Sequence, residues 1–477
     1  MQTLTHLYNK IIAHAHIIIA VVFFIAFSTL TIGRHMQFES YGFDLGIVDQ
    51  TVWNYSRFQQ PITTIQFYVF TSKLSDHFEL IYAIISPAYW LWSDPRSLLL
   101  LESLSVIIGS LAIVTLAKKL ELNRYLTLTL QAGFLIFFGT QHGLWFDVHN
   151  VGFAIAPLSW FLYAVHLRKI KLALVMCLLV ISAKENLALL TGSIALTYII
   201  IYRYKEAFLY AVISALYLAF IFGIYFPYMT PDGYRYDSDQ TYNLNPIKMI
   251  DSPNKRETLG YSLFSVGFIP ILNPLTLIPA LVDLATYFVL ADQLKGTHGL
   301  FMHYRMTLAP LLFWATVLTI SKRAKLNNAY TALYIILISL FLQYHLHLPL
   351  SYLSKNWFWQ NLSQRQYIHD SLKTISPEAS VVTQNNLVPH LSRRKEIFVI
   401  WPQEGRADNQ GIGTPWLRWA GKPHYLVVNT ASQWDIRHLL MDPQFFRQAL
   451  QNMEQEGYII KESHNQDTTI YSIQKQP

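Results

Sequence analysis

Residues 78–93, FELIYAIISPAYWLWS, are the segment on which the membrane topology of this chain depends. They are apolar, but they contain Glu79 and Pro87 and stop at Asp94 and Pro95. As a helix they would reach only about 24 Å at 1.5 Å per residue, short of a hydrocarbon core of about 30 Å. The sequence therefore predicts a helix that lies in the membrane interface, or dips into it, without crossing.

The basic residues between the apolar runs favour this interpretation. If residues 78–93 do not cross and the N-terminus is inside, every short basic loop falls on the inner side. These loops contain Lys118, Lys119 and Arg124; Arg168, Lys169 and Lys171; Arg203 and Lys205; and Lys322, Arg323 and Lys325. The positive-inside rule expects this distribution. The formal charge of +7 is therefore an orientation signal, and it does not indicate a nucleic-acid partner.

Composition indicates a polytopic membrane protein. The chain has 477 residues, 52% hydrophobic and 14% charged, whereas soluble domains carry about a quarter charged residues. The candidate spanning helices are residues 11–32, 97–117, 122–140, 152–166, 170–183, 187–202, 206–226, 258–273, 274–291, 305–320 and 328–346. The first is too long for a signal-peptide core and is interpreted as an anchor. The predicted fold class is mainly α, with about 11 transmembrane helices.

The pattern changes near residue 350, where a small C-terminal α/β soluble domain is expected. Residues 379–383, 396–400, 424–428, 457–462 and 468–474 are strand-like, and residues 443–456 are helical. The predicted organisation is a transmembrane domain, residues 1–349, followed by the soluble domain, residues 350–477, on the outer side. The first outer loop, residues 33–96, contains a predicted helix at 45–57 whose Val48, Val52, Trp53 and Tyr55 could rest on the membrane surface.

Acids, histidines and aromatics recur in the outer segments of this topology. The candidate site residues are Asp44, Asp49, Asp76, His77, Asp147, His149, Lys184, Glu185, His303 and Arg305. Ionisable groups at membrane depth are costly, so they usually face a cavity and mark function. The sequence therefore predicts one polar site at the outer face.

The two acids of the first loop each have a structural alternative. Asp44 immediately precedes a helix, so it is either the N-cap of that helix or a general base above the membrane. Asp49 lies one turn further on and is more simply interpreted as part of a solvated helix face. It stays in the candidate set for binding substrate.

The remaining pairs suggest a cation site and a phosphate site. Asp76 with His77, and Asp147 with His149, could hold a divalent ion such as Mg or Mn, or could be hydrogen-bonded interface pairs. Lys184 ends a helix at the outer boundary, where it could contact a lipid phosphate or extend to the interface. A further set, His303, Arg305 and Glu185, is expected near the same phosphate; Arg305 could instead be a helix-end anchor.

Several enzyme classes are excluded by missing motifs. The single cysteine, Cys177, rules out an intrachain disulfide framework and a cysteine-based zinc site. The sequence has no Gly-rich phosphate loop, no G-x-S-x-G and no H-E-x-x-H, which argues against P-loop, serine-hydrolase and zincin chemistry.

Five motifs resemble an uncharacterised family of prokaryotic predicted membrane proteins. They are YGFDLGIVDQTVWN (41–54), DHF (76–78) with Pro87 and Tyr89, FDVH (146–149), KEN (184–186), and ASVV (379–382) with PHLS (389–392). The family pattern commonly has Asp where this chain has Asn186 and an aromatic residue where it has Val148. A carboxylate role for position 186 is therefore not expected.

That family resembles the GT-C glycosyltransferases, which use polyprenyl-phosphate sugar donors. The resemblance implies a GT-C-like membrane glycosyltransferase at the outer face of the cytoplasmic (inner) membrane. Asp44 would be the base or an ion ligand, Lys184, His303 and Arg305 would face the donor phosphate, and the lipid tail would lie between residues 187–226 and 258–291. The acceptor would be a glycan, a lipid or a protein.

Two other classes stay open on the sequence alone. A transporter or flippase would need intramembrane charges or broken, repeated helices around a midplane site. A non-catalytic receptor or assembly protein would keep the fold, with Asp44 buried as a cap.

Overall fold

The computed structural model describes residues 2–65, 71–230, 245–289, 297–400, 406–407, 413–414, 417–431 and 442–475. The chain divides into two compact units. Unit 1 comprises Met1–Thr31, Leu74–Ile81 and Leu99–Ser354, and unit 2 comprises Ile32–Lys73, Tyr82–Leu98 and Lys355–Pro477.

The described helices are numbered in chain order. They are α1 (Gln2–Met36), α2 (Ile47–Ser56), α3 (Lys73–Asp76), α4 (Ile81–Ile85), α5 (Ala88–Leu91), α6 (Pro95–Lys119), α7 (Arg124–Ile136), α8 (Phe138–Phe146), α9 (Asn150–His166), α10 (Ile170–Ala183), α11 (Leu187–Tyr202), α12 (Phe208–Phe220), α13 (Phe226–Met229), α14 (Pro253–Phe264), α15 (Ile278–Phe288), α16 (Leu308–Ser321), α17 (Ala329–His345), α18 (Asn356–Gln364), α19 (Gln366–Leu372), α20 (Val388–Leu391) and α21 (Pro443–Gln455).

The described strands are all short. They are β1 (Ile62–Thr63), β2 (Thr71–Ser72), β3 (Val381–Thr383), β4 (Ile397–Val399), β5 (Arg406–Ala407), β6 (Gly413–Thr414), β7 (Tyr425–Asn429), β8 (Ile459–Asn465) and β9 (Thr468–Ile473). Short 3-10 and π-helical turns join several helices, among them Gly42–Gly46, Ile269–Leu272, Pro274–Leu277 and His303–Arg305.

The helices of the membrane region are apolar, and three in the described part of the chain are long enough to cross a bilayer. By length and composition these are His14–Met36, Pro95–Lys119 and Lys205–Met229. Several others are apolar but have 10–17 residues, so the predicted number of about eleven spans stays a prediction. Residues 78–93 form only the short helices α4 and α5, and the prediction that this segment does not cross the membrane stays a prediction.

Residues 258–273, predicted as one continuous spanning helix, form a broken one. Helix α14 ends at Phe264, and two 3-10 turns follow. Gly267 and Phe268 have positive φ angles of 62° and 57°, and Pro270 and Pro274 each lack the N–H that a helix interior needs. The broken segment still runs along α17: Tyr261 contacts His345, Phe264 contacts Phe341, and Gly267 lies against Tyr334.

Two glycines on α8 let another part of unit 1 approach that helix closely. A Cβ at Gly139 would lie 2.3 Å from the carbonyl oxygen of Arg305, and one at Gly143 would lie 2.1 Å from Cγ of Met306. Because no larger residue fits at either position, the segment 303–306 is held directly against α8. This contact brings two of the predicted site motifs together.

Unit 2 is built on a mixed five-stranded sheet with the strand order β4-β3-β7-β9-β8. Strand β3 pairs in parallel with β4 and β7, and β9 pairs antiparallel with β7 and β8. Each of the five strands and helix α21 coincides with a segment predicted from the sequence. The expected boundary near residue 350 and the outer location of this region stay predictions.

Successive side chains of a strand point to opposite faces of the sheet. The two faces therefore contribute to two separate hydrophobic cores. On one face Val381 packs with Ile47 and Phe38, from the first long loop. On the other face Val382 packs with Leu450 and Met453 of α21. The loop and the C-terminal sheet therefore share one core, although more than 300 residues separate them in the sequence.

Helix α2 confirms the helix predicted at 45–57, but two of the four residues expected on the membrane surface, Val48 and Val52, lie in the interior while Trp53 and Tyr55 are half-buried. Val48 is 5% exposed and Val52 is fully buried, so neither residue rests on a membrane surface. Gly42 and Gly46 explain part of this burial, because a Cβ at either would lie within 2.9 Å of the Val388 side chain. The first and last family-like motifs are therefore packed on each other.

Candidate functional site

Eight of the ten candidate residues lie in unit 1. Two of them, Lys184 and Glu185, are in the turn between α10 and α11. Helix α10 ends at Ala183 because Lys184 has extended backbone angles, and α11 begins after Asn186. The Glu185 carboxylate is 2% exposed. It contacts Nδ1 of His77 at 2.8 Å and accepts the backbone N–H of Phe78 at 3.2 Å.

Glu185 therefore links the KEN motif (184–186) to the DHF motif (76–78). Burial alone would raise the pKa of Glu185, but the His77 imidazole and the Lys184 ammonium outweigh it and lower this pKa to about 2. The carboxylate is ionised at physiological pH, and its oxygens are engaged by residues 77 and 78. Its geometry fits the positioning of His77 better than direct contact with substrate.

Lys184 lies above an aromatic surface formed by two tyrosines. Its Nζ is 5.3 Å from the centre of the Tyr304 ring, and the ring centroids of Tyr304 and Tyr287 are 4.6 Å apart. The amide of Asn186 donates to the Tyr287 hydroxyl at 3.5 Å. Burial opposes the charge, but Tyr304, Tyr287 and Glu185 outweigh it and raise the pKa of Lys184. The half-buried ammonium stays charged and can attract an anion.

The FDVH motif (146–149) and the segment 303–305 meet through two stacked imidazoles. The rings of His149 and His303 are 3.6 Å apart at an interplanar angle of 18°, and the Tyr304 ring lies 3.9 Å from His303. Burial, followed by the charges of His149, Lys184 and Arg305, holds the pKa of His303 well below its usual value. This environment favours the neutral imidazole of His303, and its predicted contact with a donor phosphate stays a prediction.

A strained turn at Asp147 sets the direction of His149. Asp147 is 1% exposed and has a φ of 129°, a backbone conformation that L-residues rarely adopt. Such strain costs about 1–3 kcal/mol and persists where the surroundings fix it. Here the backbone N–H of His149 donates to Oε1 of Glu102 at 3.0 Å, and α9 begins at the next residue.

Arg305 is fully buried and is held by its own loop. Its Nε donates to the carbonyl of Gly299 at 3.1 Å, and its Nη2 donates to the carbonyl of Thr297. The remaining nitrogen, Nη1, has no hydrogen-bond partner among the described residues. Arg305 is therefore not an interfacial anchor, and two of its three nitrogens donate to the segment 297–299.

Three buried acids near these residues were not among the predicted candidates. Glu79 accepts from the side-chain amide of Asn150, Glu102 accepts from His149, and Asp283 accepts from the Thr307 hydroxyl at 2.8 Å. Glu102 and Asp283 lie inside apolar runs, where an ionisable residue is by default a functional candidate. That signal is present in the sequence, although the predicted site was confined to the boundaries of the helices.

The proposed divalent-ion site is not reproduced by the geometry. Asp76 is 7% exposed at the end of α3, and the imidazole of His77 is held by Glu185. Among the residues that the structure describes, no group of three or more His, Cys, Asp and Glu side chains could hold a metal. The Mg or Mn prediction stays untested.

Asp44 and Asp49 belong to unit 2. Asp44 is half-buried inside the π-helical turn Gly42–Gly46, and no side-chain cap bond is found at Tyr41 or Gly46. The N-cap interpretation of Asp44 is therefore wrong, because the helical backbone begins two residues before it. This geometry leaves the general-base prediction for Asp44 untested.

Asp49 is not on a solvated helix face, so that interpretation is also wrong. Its carboxylate is fully buried and accepts hydrogen bonds from the hydroxyls of Ser392, at 2.5 Å, and Tyr89. Burial raises the pKa of Asp49 to about 6, although Arg393 and the two hydrogen bonds oppose the shift. The Asp49 carboxylate is hydrogen-bonded in the interior of unit 2. This geometry does not favour its direct contact with substrate.

An apolar groove of about 730 Å³ opens between α11, α12 and α15 in unit 1. Its lining includes Ala188 and Leu189, directly after the Lys184-Glu185-Asn186 turn, and it continues past Ala215 to Phe208. The groove lies within the segments 187–226 and 258–291, where a lipid-binding groove was expected. One of its ends is therefore next to the charged turn.

Comparisons with known proteins agree with this architecture. A family model described as "Predicted membrane protein (DUF2079)" matches residues 34–467, and no curated protein matches the sequence. The crystal structure of ArnT from Cupriavidus metallidurans bound to undecaprenyl phosphate has a TM-score of 0.53 and 10% identity, covering 96% of this chain and 98% of that one. Its apo form has a TM-score of 0.51 and 9% identity, with coverages of 95% and 97%. At such identities the likeness concerns the fold, and it confirms the expected GT-C-like architecture.

Proposed function

The chain belongs to the DUF2079 family of predicted membrane proteins, and from this premise we propose that it is a membrane glycosyltransferase using a polyprenyl-phosphate sugar donor. The observation that carries the proposal is the apolar groove of unit 1, one end of which adjoins the charged Lys184 turn. An amphiphile with a long apolar tail and an anionic head matches such a site. The likeness of fold to ArnT, crystallised with undecaprenyl phosphate, supports the same donor class.

The donor would bind with its lipid tail between α11, α12 and α15 and its phosphate at Lys184. The groove is almost entirely apolar, with Gly192, Ala211 and Ala215 leaving room between the helices. Tyr304 and Tyr287 present hydroxyl groups beside the ammonium. A neutral His303 can donate an N–H to a phosphate or sugar oxygen without adding charge.

In the proposed reaction an acceptor hydroxyl oxygen attacks the anomeric carbon of the donor sugar. A new carbon–oxygen bond forms, the bond from that carbon to the phosphate oxygen breaks, and its electron pair stays on the phosphate. The hydroxyl proton goes to a general base, the role that the sequence and its family resemblance predict for Asp44. Lys184 favours the reaction because the leaving phosphate gains negative charge as the bond breaks.

The acceptor is proposed to be a glycan, lipid or protein at the outer face of the cytoplasmic membrane, with the N-terminus inside. No step of the proposed reaction is written with a metal ion. Measuring transfer in the presence of a chelator, and after adding Mg or Mn, tests the ion prediction independently. A chelator-sensitive rate restored by either ion would support the ion site.

The proposal is tested by transfer of labelled sugar from a polyprenyl-phosphate donor in reconstituted membranes. We expect wild-type protein to transfer label and Asp44→Asn to lose about 10²- to 10⁴-fold in rate, as expected for removal of a general base. Asp370→Asn, an exposed acid on α19, is the matched control and should transfer normally. Normal transfer by a folded Asp44→Asn protein would remove Asp44 from the mechanism.

The same membranes distinguish the other classes. Movement of the intact lipid-linked sugar across the bilayer, with no transfer of label to an acceptor, would identify a flippase. Donor binding with neither transfer nor movement would identify a non-catalytic receptor. Either outcome would overturn the glycosyltransferase proposal.

A further inference from the structure

A second cavity lies entirely within unit 2. It is a cleft of about 810 Å³, which is in the range of small-molecule sites. The charged side chains that line it are Arg57, Arg96, Lys373, Arg393, Arg394 and Lys395, against the carboxylates Asp94 and Glu378. Six cations against two anions create a positive potential, and a cleft focuses such a potential on an anionic ligand.

Several of these cations are already paired within the protein. Asp94 binds Nε of Arg96 at 2.7 Å and lies 3.7 Å from Nη1 of Arg393. The buried Arg394 donates to the backbone carbonyls of Leu391 and Ala379. These pairs hold the wall of the cleft in place.

Arg57 and Lys395 form the free part of the positive surface. Both side chains are exposed, and no carboxylate among the described residues lies within ion-pair distance of either. Arg57 rests over the Trp53 ring, with its guanidinium carbon 4.6 Å from the ring centre. The two cations come from opposite ends of the sequence and line the same cleft.

Three imidazoles form another part of the lining. The rings of His35 and His390 stack at 4.1 Å, and the His369 ring lies 5.1 Å from His390. His35 is 2% exposed, and neither its Nδ1 nor Nε2 of His390 has a hydrogen-bond partner among the described residues. A buried nitrogen left without a partner is unfavourable, and a ligand oxygen in the cleft would supply one.

We propose that this cleft binds a saccharide that carries a phosphate group. Arg57 and Lys395 would contact the phosphate, and the Trp53 ring beneath the Arg57 guanidinium holds that cation in place. Gln59 and Gln366 line the same cleft and can pair with hydroxyl groups. Cations from separate segments match a phosphate, with three acceptor oxygens, better than a carboxylate with two. The site does not depend on the glycosyl transfer proposed for unit 1.

Isothermal titration calorimetry on the full-length protein in nanodiscs of zwitterionic lipid tests this site. A soluble hexose monophosphate should bind about tenfold more tightly than inorganic phosphate, and the unphosphorylated hexose should give no measurable heat. Binding should weaken as salt is raised, because exposed charges are screened. If the headgroup binds only when a phosphorylated glycolipid is built into the disc, the ligand is a lipid headgroup and not a free sugar phosphate.

Matched variants assign the binding to the cleft. Arg57→Gln and Lys395→Gln should each weaken binding of the hexose monophosphate by about tenfold, the effect of losing one charge-assisted hydrogen bond. Arg447→Gln removes an exposed cation from α21, outside the cleft, and should bind as the wild type does. Unchanged affinity in an Arg57→Gln, Lys395→Gln double variant, or no binding in either the soluble or the lipid form, would overturn the proposal. Neither result would decide the transfer assay, because that assay measures movement of labelled sugar and not binding of the hexose monophosphate.

Discussion

Lys184 shows how a single side chain gains its role from its surroundings. Its sequence position, at the end of an apolar helix, fits an interfacial lysine as well as a phosphate ligand. In the fold it lies over Tyr304 and next to the ionised Glu185, which together favour the charged ammonium. A charged, half-buried group beside an apolar groove is suited to holding an anionic headgroup.

Replacing Lys184 by methionine should therefore lower the rate of sugar transfer by about 100-fold, because the charge developing on the leaving phosphate loses its nearest cation. Lys184→Arg should keep part of the activity, since the charge remains. Lys205→Met is the control, because Lys205 lies in the short basic loop between α11 and α12. Its rate of sugar transfer should be nearly normal. Wild-type rates in Lys184→Met would exclude a phosphate role for this residue.

Asp49 is a residue whose protonation should affect folding instead of catalysis. An unfolded carboxyl titrates near pH 3.9, whereas burial raises the pKa of Asp49 in the fold to about 6. The folded protein therefore binds the extra proton between these values. Asp49 favours the folded state below about pH 4, and this contribution, roughly 3 kcal/mol, is lost as the pH rises to about 6.

The Asp49→Asn variant should lose this pH dependence, because an amide does not ionise. Thermal unfolding of the purified protein between pH 4 and 7 would measure it, with Asp370→Asn as an exposed control that keeps the wild-type slope. Equal slopes in Asp49→Asn and wild-type protein would mean that Asp49 titrates normally in the fold.

At the scale of the element, close contacts between helices position the polar cluster of unit 1. Helix α8 carries Gly139 and Gly143 on the side that meets residues 303–306, and Gly152 of α9 lies against the Glu102 side chain. These contacts place His303 on His149 and Glu102 under the His149 backbone. The cluster therefore depends on small residues that take no part in chemistry themselves.

Gly139→Ala should destabilise unit 1 by about 1–3 kcal/mol, since its Cβ would lie 2.3 Å from the Arg305 carbonyl oxygen and cannot be accommodated without a backbone shift. Gly260→Ala is the matched control: it lies inside α14, and nothing is within 4 Å of its Cβ. That change should be neutral or stabilise by about 0.4–1 kcal/mol. Thermal unfolding measures the stability of both variants. Equal melting temperatures would contradict the close contact of Gly139 with the Arg305 backbone.

At the scale of the molecule, the proposed donor needs an apolar groove that is as long as the part of its lipid tail lying in the membrane. The lining of the groove runs along α11 from Ala188 to Leu196 and along α12 from Leu218 to Phe208. Its width is set by small residues, including Gly192 and Ala215. The groove and the charged turn together are large enough to distinguish a long-chain carrier from a short soluble analogue.

Ala215→Trp should fill the groove and weaken use of a long-chain polyprenyl donor by at least about tenfold, because the displaced tail loses its apolar contacts. A short-chain donor analogue should be affected much less. Leu216→Trp, at the neighbouring exposed position outside the lining, is the control. Equal effects of the two substitutions on both donors would show that the tail lies elsewhere.

The sequence by itself determined the features that depend on local pattern. Apolar length and basic loops predicted the helices and a non-spanning segment at 78–93, and the resemblance to the GT-C glycosyltransferases implied a lipid groove near 187–226 and 258–291. Short strand-like runs rich in β-branched and aromatic residues predicted all five strands of the C-terminal sheet. The sequence also placed His77, His149, Lys184 and His303 in one candidate site, and these residues are linked by direct contacts or shared neighbours in unit 1.

Only the tertiary structure decided the features that depend on contacts between distant segments. The burial of Asp49 and Val52 follows from the packing of the first loop with residues 385–399, and no local pattern reports such a partner. The neutrality of His303 and the role of Glu102 depend on neighbours more than 40 residues away. Local periodicity determines which face of an element is apolar, whereas the charge state and role of a polar residue are set by whatever the fold brings against it.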